Sequence, residues 1–137
     1  MPKEGRPVGG FRIAPLGLGR FPMNSIEPWL VVERQLQAYN ARDLPEFLAQ
    51  FSADAAIHEL GAVDPSSSSI AEIELRYRQL FAASPNLKAE VISRTTFGHV
   101  VVDRERIFGR MGGLESVEML AIYEVRGGRI SKLHFVR

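Results

Sequence analysis

The spacing of apolar residues changes at Lys88. Before it they recur mainly at three- and four-residue intervals, and after it they alternate with polar ones. Residues 89–97, 100–109, 116–126 and 129–136 are rich in Val, Ile, Thr, Phe and Tyr. Gly98-His99, Met111-Gly112-Gly113 and Gly127-Gly128 separate them. These four segments are expected to form consecutive antiparallel strands. Helices grouped first and strands grouped afterwards predict an α+β fold, with the helices packed on one face of the sheet.

The first half supplies the helices. Asn24 or Ser25 is the expected N-cap of the first, with Glu27 and Pro28 in its opening turn, where acid and proline are tolerated. Trp29, Val32, Leu36 and Tyr39 then share one face and predict a buried stripe. Asp43-Leu-Pro-Glu46 reads as a cap and its acidic partner opening a second helix, with Leu44, Phe47, Leu48 and Phe51 as its apolar residues. Ala55 to Leu60, short and apolar between Asp54 and Gly61, reads as a strand. A serine-rich loop follows, and Ser69-Ile-Ala-Glu72 opens a third helix, which carries Ile70, Ile73, Tyr77, Leu80 and Phe81 and stops before Pro85.

Residues 1–24 stand apart. Four prolines and five glycines break any helix or strand there, so the segment reads as an extended or flexible arm, with residues 25–137 as one domain. Four basic residues against Glu4 give the arm a charge of +3. The overall +1 therefore hides −2 on the rest of the chain, which argues against a nucleic-acid surface on the folded body. No apolar run approaches the roughly 18 residues of a membrane span. The arm also lacks the continuous apolar stretch of a secretory signal, and the expected location is cytoplasmic. The absence of cysteine removes thiolate chemistry and disulfides. His58, His99 and His134 show no paired ligand spacing, so neither a metal nor a cofactor is expected.

AYNARD (Ala38 to Asp43), FSADAAIHEL (Phe51 to Leu60), ELRYRQLFAASP (Glu74 to Pro85), RTTFGHVVVDRERIFG (Arg94 to Gly109) and AIYEVRGGRISKLHFV (Ala121 to Val136) carry a resemblance to a known family. Across residues 26–136 the chain resembles the nuclear transport factor 2-like superfamily, in its SnoaL-like and steroid delta-isomerase-like branch. The resemblance implies a conical barrel: a bent, mostly antiparallel sheet wraps the N-terminal helices and leaves an apolar pocket at its open end. It also implies a homodimer through the outer sheet face, and a small, largely apolar organic ligand. Residues in the position to line the pocket are Gln35, Tyr39, Ile57, Tyr77, Phe81, Met119, Ala121, Leu133 and Phe135.

Glu59 is the first candidate for chemistry. On a strand it shares a face with Ile57, so both point into the pocket if either does. In the steroid isomerases a carboxylate at this motif position abstracts a proton next to a carbonyl, and an apolar pocket would raise its pKa to suit that task. The competing reading is a carboxylate at the exposed strand end, paired with an arginine. The chain departs from the isomerase pattern in two places: Gln35 stands where that family has a tyrosine donor, and Ala121 where it has a second, protonated acid. Ketosteroid isomerisation is thus disfavoured. Isomerase, cyclase or dehydratase chemistry with Glu59 as base is expected instead, with a noncatalytic binding or interaction module as the alternative. Arg94 lies across the hairpin from Asp103 or Glu105. It makes either a sheet ion pair that fixes register or part of a water-activating set like that of the epoxide hydrolases in this superfamily. His99, at the hairpin turn, is a further minor candidate.

Overall fold

The computed structural model describes residues 26–137. The expected arm and the caps Asn24 and Ser25 lie outside these residues. Two helices, α1 (Pro28–Ala41) and α2 (Leu44–Ala49), precede strand β1 (Phe51–Glu59) and helix α3 (Ile70–Ala83). Strands β2 (Lys88–Phe97) and β3 (Val100–Phe108), a 3-10 turn (Arg110–Gly112), β4 (Val117–Arg126) and β5 (Arg129–Val136) complete the chain. The sheet order is β1-β5-β4-β3-β2, with β1 parallel to β5 and every other pair antiparallel. The α+β class and the four alternating strands are as expected, to within a residue or two at their ends.

Capping residues set the helix starts. Glu27 occupies the cap position of α1 without a side-chain bond, and Pro28 follows it. Asp43 Oδ1 accepts from the Glu46 amide at 3.1 Å, opening α2. Ser69 Oγ accepts from the Glu72 amide at 3.2 Å, and Glu72 Oε1 accepts from the Ser68 amide at 2.8 Å. The reciprocal bond of this capping box is thus displaced by one residue.

Two expectations shift. Trp29 is 43% exposed, because the buried stripe of α1 comprises Val31, Val32, Gln35, Ala38 and Tyr39. At 100° per residue that stripe is centred near Gln35, which leaves Trp29 and Leu36 on its flank. Phe51 begins β1 instead of ending α2, since the helix closes at Gln50, whose carbonyl accepts from Ile130 at 2.7 Å. Phe51 still joins the aromatic core: its ring lies 5.1 Å from Phe47, and Phe47 lies 4.5 Å from Tyr77. These tilted rings contribute beyond their burial, each pair by about 0.5–1.5 kcal/mol.

The AYNARD junction has a structural task. Asn40 Nδ2 donates to the Ala89 carbonyl at 3.0 Å, and the Ala89 amide donates to Asn40 Oδ1 at 2.7 Å, so one side chain takes the place of a strand along edge strand β2. Arg42, in the left-handed region at φ 54°, donates to the Leu87 carbonyl at 3.1 Å. Asn40→Ala removes two hydrogen bonds and leaves the Ala89 groups unmatched. It is expected to cost about 2 kcal/mol in urea denaturation and to speed amide exchange in β2 before β4.

Candidate functional site

Alternation places Val101, Asp103, Glu105 and Ile107 of β3 on the inner sheet face, beside Met119, Ala121, Tyr123 and Val125 of β4. Helices α1 and α3 cover that face incompletely. The gap between them and the sheet is a cleft of about 490 Å³, its open mouth included. Gln35, Leu36 and Tyr39 of α1 and Arg76, Tyr77 and Leu80 of α3 form one wall. Ala89, Glu105, Ile107, Met119, Tyr123 and Phe135 form the sheet wall, and Arg110 and Arg137 complete the lining.

Among the described residues Glu105 is the one side-chain carboxylate of this lining. It is 6% exposed, and the Tyr123 hydroxyl donates to its Oε2 at 3.2 Å. The small Ala121 stands between Met119 and Tyr123 on the inner face. Burial, reinforced by the charge of Asp103, pushes the Glu105 carboxyl up to about 7; the Tyr123 bond and the Arg94 charge only partly offset this. Tyr39, Tyr77 and Tyr123 are all raised by burial and stay protonated near neutral pH. Among the described residues the side chains of Gln35, Tyr39 and Tyr77 have no hydrogen-bond partner, although each is nearly buried. They present unmatched donors to whatever fills the cleft.

Behind Glu105 lies an ion-pair set. Arg94 stands directly opposite Asp103 in register, and its Nε and Nη2 donate to Oδ1 and Oδ2 at 2.7 and 2.9 Å. Its Nη1 donates to Glu33 Oε1 on α1 at 2.9 Å. Burial opposes the Arg94 charge, but the bonds and charges of Asp103 and Glu33 outweigh it and raise the pKa of the guanidinium. Asp103 is fully buried, neither it nor Arg94 lines the cleft, and both Asp103 oxygens are taken. The set fastens α1 to the sheet.

Glu59 lies elsewhere. Ile57, on the same face, is fully buried in the core, as alternation requires. Glu59 ends the strand, however, and Arg137 Nε and Nη2 donate to its two carboxylate oxygens at 2.9 and 3.2 Å. Parity fixed its face but not its depth, and it is not part of the lining. Of the expected ligand-facing residues, Gln35, Tyr39, Tyr77, Met119 and Phe135 line the cleft. Ile57, Phe81, Ala121 and Leu133 pack in the core instead. His99 occupies the β2–β3 turn, its Nε2 2.8 Å from Arg126, away from the cleft.

Two parts of the site escaped the sequence reading. Glu105 was treated only as a partner for Arg94. Its signal lay in Val101-x-Asp103-x-Glu105-x-Ile107, where two acids hold inward parity between apolar residues. Arg76 carries no motif that marks it, yet its guanidinium lies 5.7 Å from the Tyr77 ring centre and 5.8 Å from that of Phe135. Among the described residues no three His, Cys, Asp or Glu side chains cluster as metal ligands, and no helix is long and apolar enough to cross a membrane.

Residues 32–133 match the model of the SnoaL-like domain. No curated protein matches the sequence. Among solved structures, the chain is similar to an uncharacterised cystatin-fold protein from Novosphingobium aromaticivorans, with 21% identity over 82% of this chain and 100% of the other, at a TM-score of 0.74. It is also similar to a proposed polyketide cyclase from Sinorhizobium meliloti (20% identity, 80% and 99% covered, TM-score 0.66). An epoxide hydrolase from Mycobacterium tuberculosis is similar at 16% identity, with 80% of each chain covered and a TM-score of 0.69. At these identities the likeness is one of fold.

Proposed function

The chain belongs to the SnoaL-like domain family, and we propose that its cleft binds a small, largely apolar organic molecule and carries out cofactor-independent proton transfer on it, with Glu105 as the base. The observation that carries this reading is a buried carboxyl poised near neutrality beside unmatched donors. A general base works best when its pKa lies near the working pH, and Glu105 meets that condition. Gln35, Tyr39 and Tyr77 are the proposed donors to the oxygen of an enolate formed by that abstraction. They replace the tyrosine and second acid of the steroid isomerases. Glu59 enters this proposal as the anchor of Arg137 and not as the base. Arg94 and His99 take no direct part. The homodimer remains part of the proposal, through the outer face carrying Val102, Leu120, Ile122 and Val136.

Water activation of the epoxide hydrolase kind by the Arg94 set would need its carboxylate within reach of water in the cleft, and Asp103 is fully buried, held by Arg94 and outside the lining. Proton abstraction fits the cleft better. It is tested by NMR detection of deuterium exchange into the position next to the carbonyl of a panel of small ketones and esters in heavy water. Glu105→Gln is expected to reduce exchange by about 10²-fold or more, while Glu59→Gln leaves it within a few-fold. A panel that binds in the cleft without exchange would support a noncatalytic binding module. Equal loss in both variants would return the base to Glu59.

A further inference from the structure

Among the described residues, three guanidiniums and one side-chain carboxylate line the cleft. Arg137 is neutralised by Glu59 through two hydrogen bonds. Among the described residues Arg76 donates only to the neutral Ser66 hydroxyl, at 3.0 Å, and it rests on the Tyr77 and Phe135 rings. The Arg110 guanidinium has no hydrogen bond or ion pair among the described residues. It is held in place by its backbone: Gly109, at φ 76°, turns the chain against the Asn86 carbonyl, where a Cβ would collide. The next amide along, that of Met111, donates to the buried Ser84 hydroxyl at 2.8 Å. Arg76 and Arg110 line the same cleft as Tyr39 and Tyr77, and the charges of both bear on those two hydroxyls.

We infer that the ligand carries a carboxylate, held at the cleft rim by Arg76 and Arg110, with its apolar body against Leu36, Leu80, Ile107 and Met119. The planar fork of a guanidinium matches the two oxygens of a carboxylate, and such charge-assisted bonds are roughly twice as strong as neutral ones. Charge balance narrows the class. Among the described residues two unneutralised cations face one ionised Glu105, so a monoanion leaves the occupied site neutral. A phosphate dianion overshoots, a neutral molecule leaves a guanidinium unmatched, and an amine is repelled. The inference rests on the cleft being the ligand site and does not require Glu105 to be a base.

The test is an NMR titration at about pH 8 with phenylacetate, phenylacetamide, phenethylamine and phenyl phosphate. Phenylacetate is expected to shift the Arg76 and Arg110 signals and to bind at least about tenfold more tightly than its amide. Arg76→Gln and Arg110→Gln should each remove most of that advantage while leaving amide binding unchanged. Arg104→Gln, on the opposite sheet face, should leave both as they were. Equal binding of acid and amide overturns the inference, as does no binding of phenylacetate at millimolar concentrations, or tighter binding of phenyl phosphate. Repeating the titration with Glu105→Gln separates the two proposals: selectivity for the acid that persists there supports the rim even where Glu105 proves not to be the base.

Discussion

Glu105→Gln is expected to stabilise the protein at pH 8 by about 2–3 kcal/mol and to change it by less than about 1 kcal/mol at pH 5. The sign follows from the direction of the shift. The carboxyl is pushed from an ordinary 4.5 up to about 7 in the folded chain, so the folded state holds its proton more tightly than the unfolded state does. Stability is then lost as pH rises from about 4.5 through about 7, because above that range folding must bury an ionised carboxylate. Glutamine keeps the shape and pays no such penalty. Urea denaturation of both proteins across this range would show the difference opening near neutrality. A variant less stable by the same amount at every pH would mean that Glu105 is not desolvated. A residue that weakens its own fold at working pH is the pattern expected where function and stability compete.

Arg94→Met is expected to destabilise the protein by about 3–5 kcal/mol, the largest single effect predicted. Asp103 is fully buried, and Arg94 supplies both of its side-chain hydrogen bonds. Without the guanidinium, Asp103 must either bury a bare charge or take up a proton, so the loss should be greater at pH 8 than at pH 5. Adding Asp103→Leu should recover most of it, because replacing both partners of a buried pair by apolar groups removes the desolvation cost with the attraction. Denaturation midpoints of the two single variants and the double variant give the coupling directly. If Arg94→Met alone costs less than about 1 kcal/mol, the set is not what fastens α1 to the sheet.

The fold was legible because periodicity carries it. The change at Lys88, the Asp43 and Ser69 caps and the paired glycines each act locally, and each told where an element starts or turns. The site was legible only in part. Alternation ties the face of Glu59 to that of Ile57, but no local rule says how far along a strand the cleft reaches, and Glu59 lies outside the lining. Arg137 lies 78 positions away in the chain, so its pairing with Glu59 had no sequence signature. Glu105 was misjudged for a different reason. Exact register gives Arg94 to Asp103, and a two-residue difference in that pairing, which keeps the same face, decides which acid is neutralised and which is left to line the cleft.

The sheet order has a consequence for how the site comes into being. Strand β5 lies between β1 and β4, so β1 has no partner in the sheet until the last strand is made, and Glu59 must wait for Phe135. Strands β2 to β5 close through short turns, whereas β1 and β5 meet across most of the chain and across a parallel pairing that forms slowly. Phe135 and Arg137 arrive with that final strand. The step that pairs β1 with the rest of the sheet is therefore the same step that completes the cleft lining.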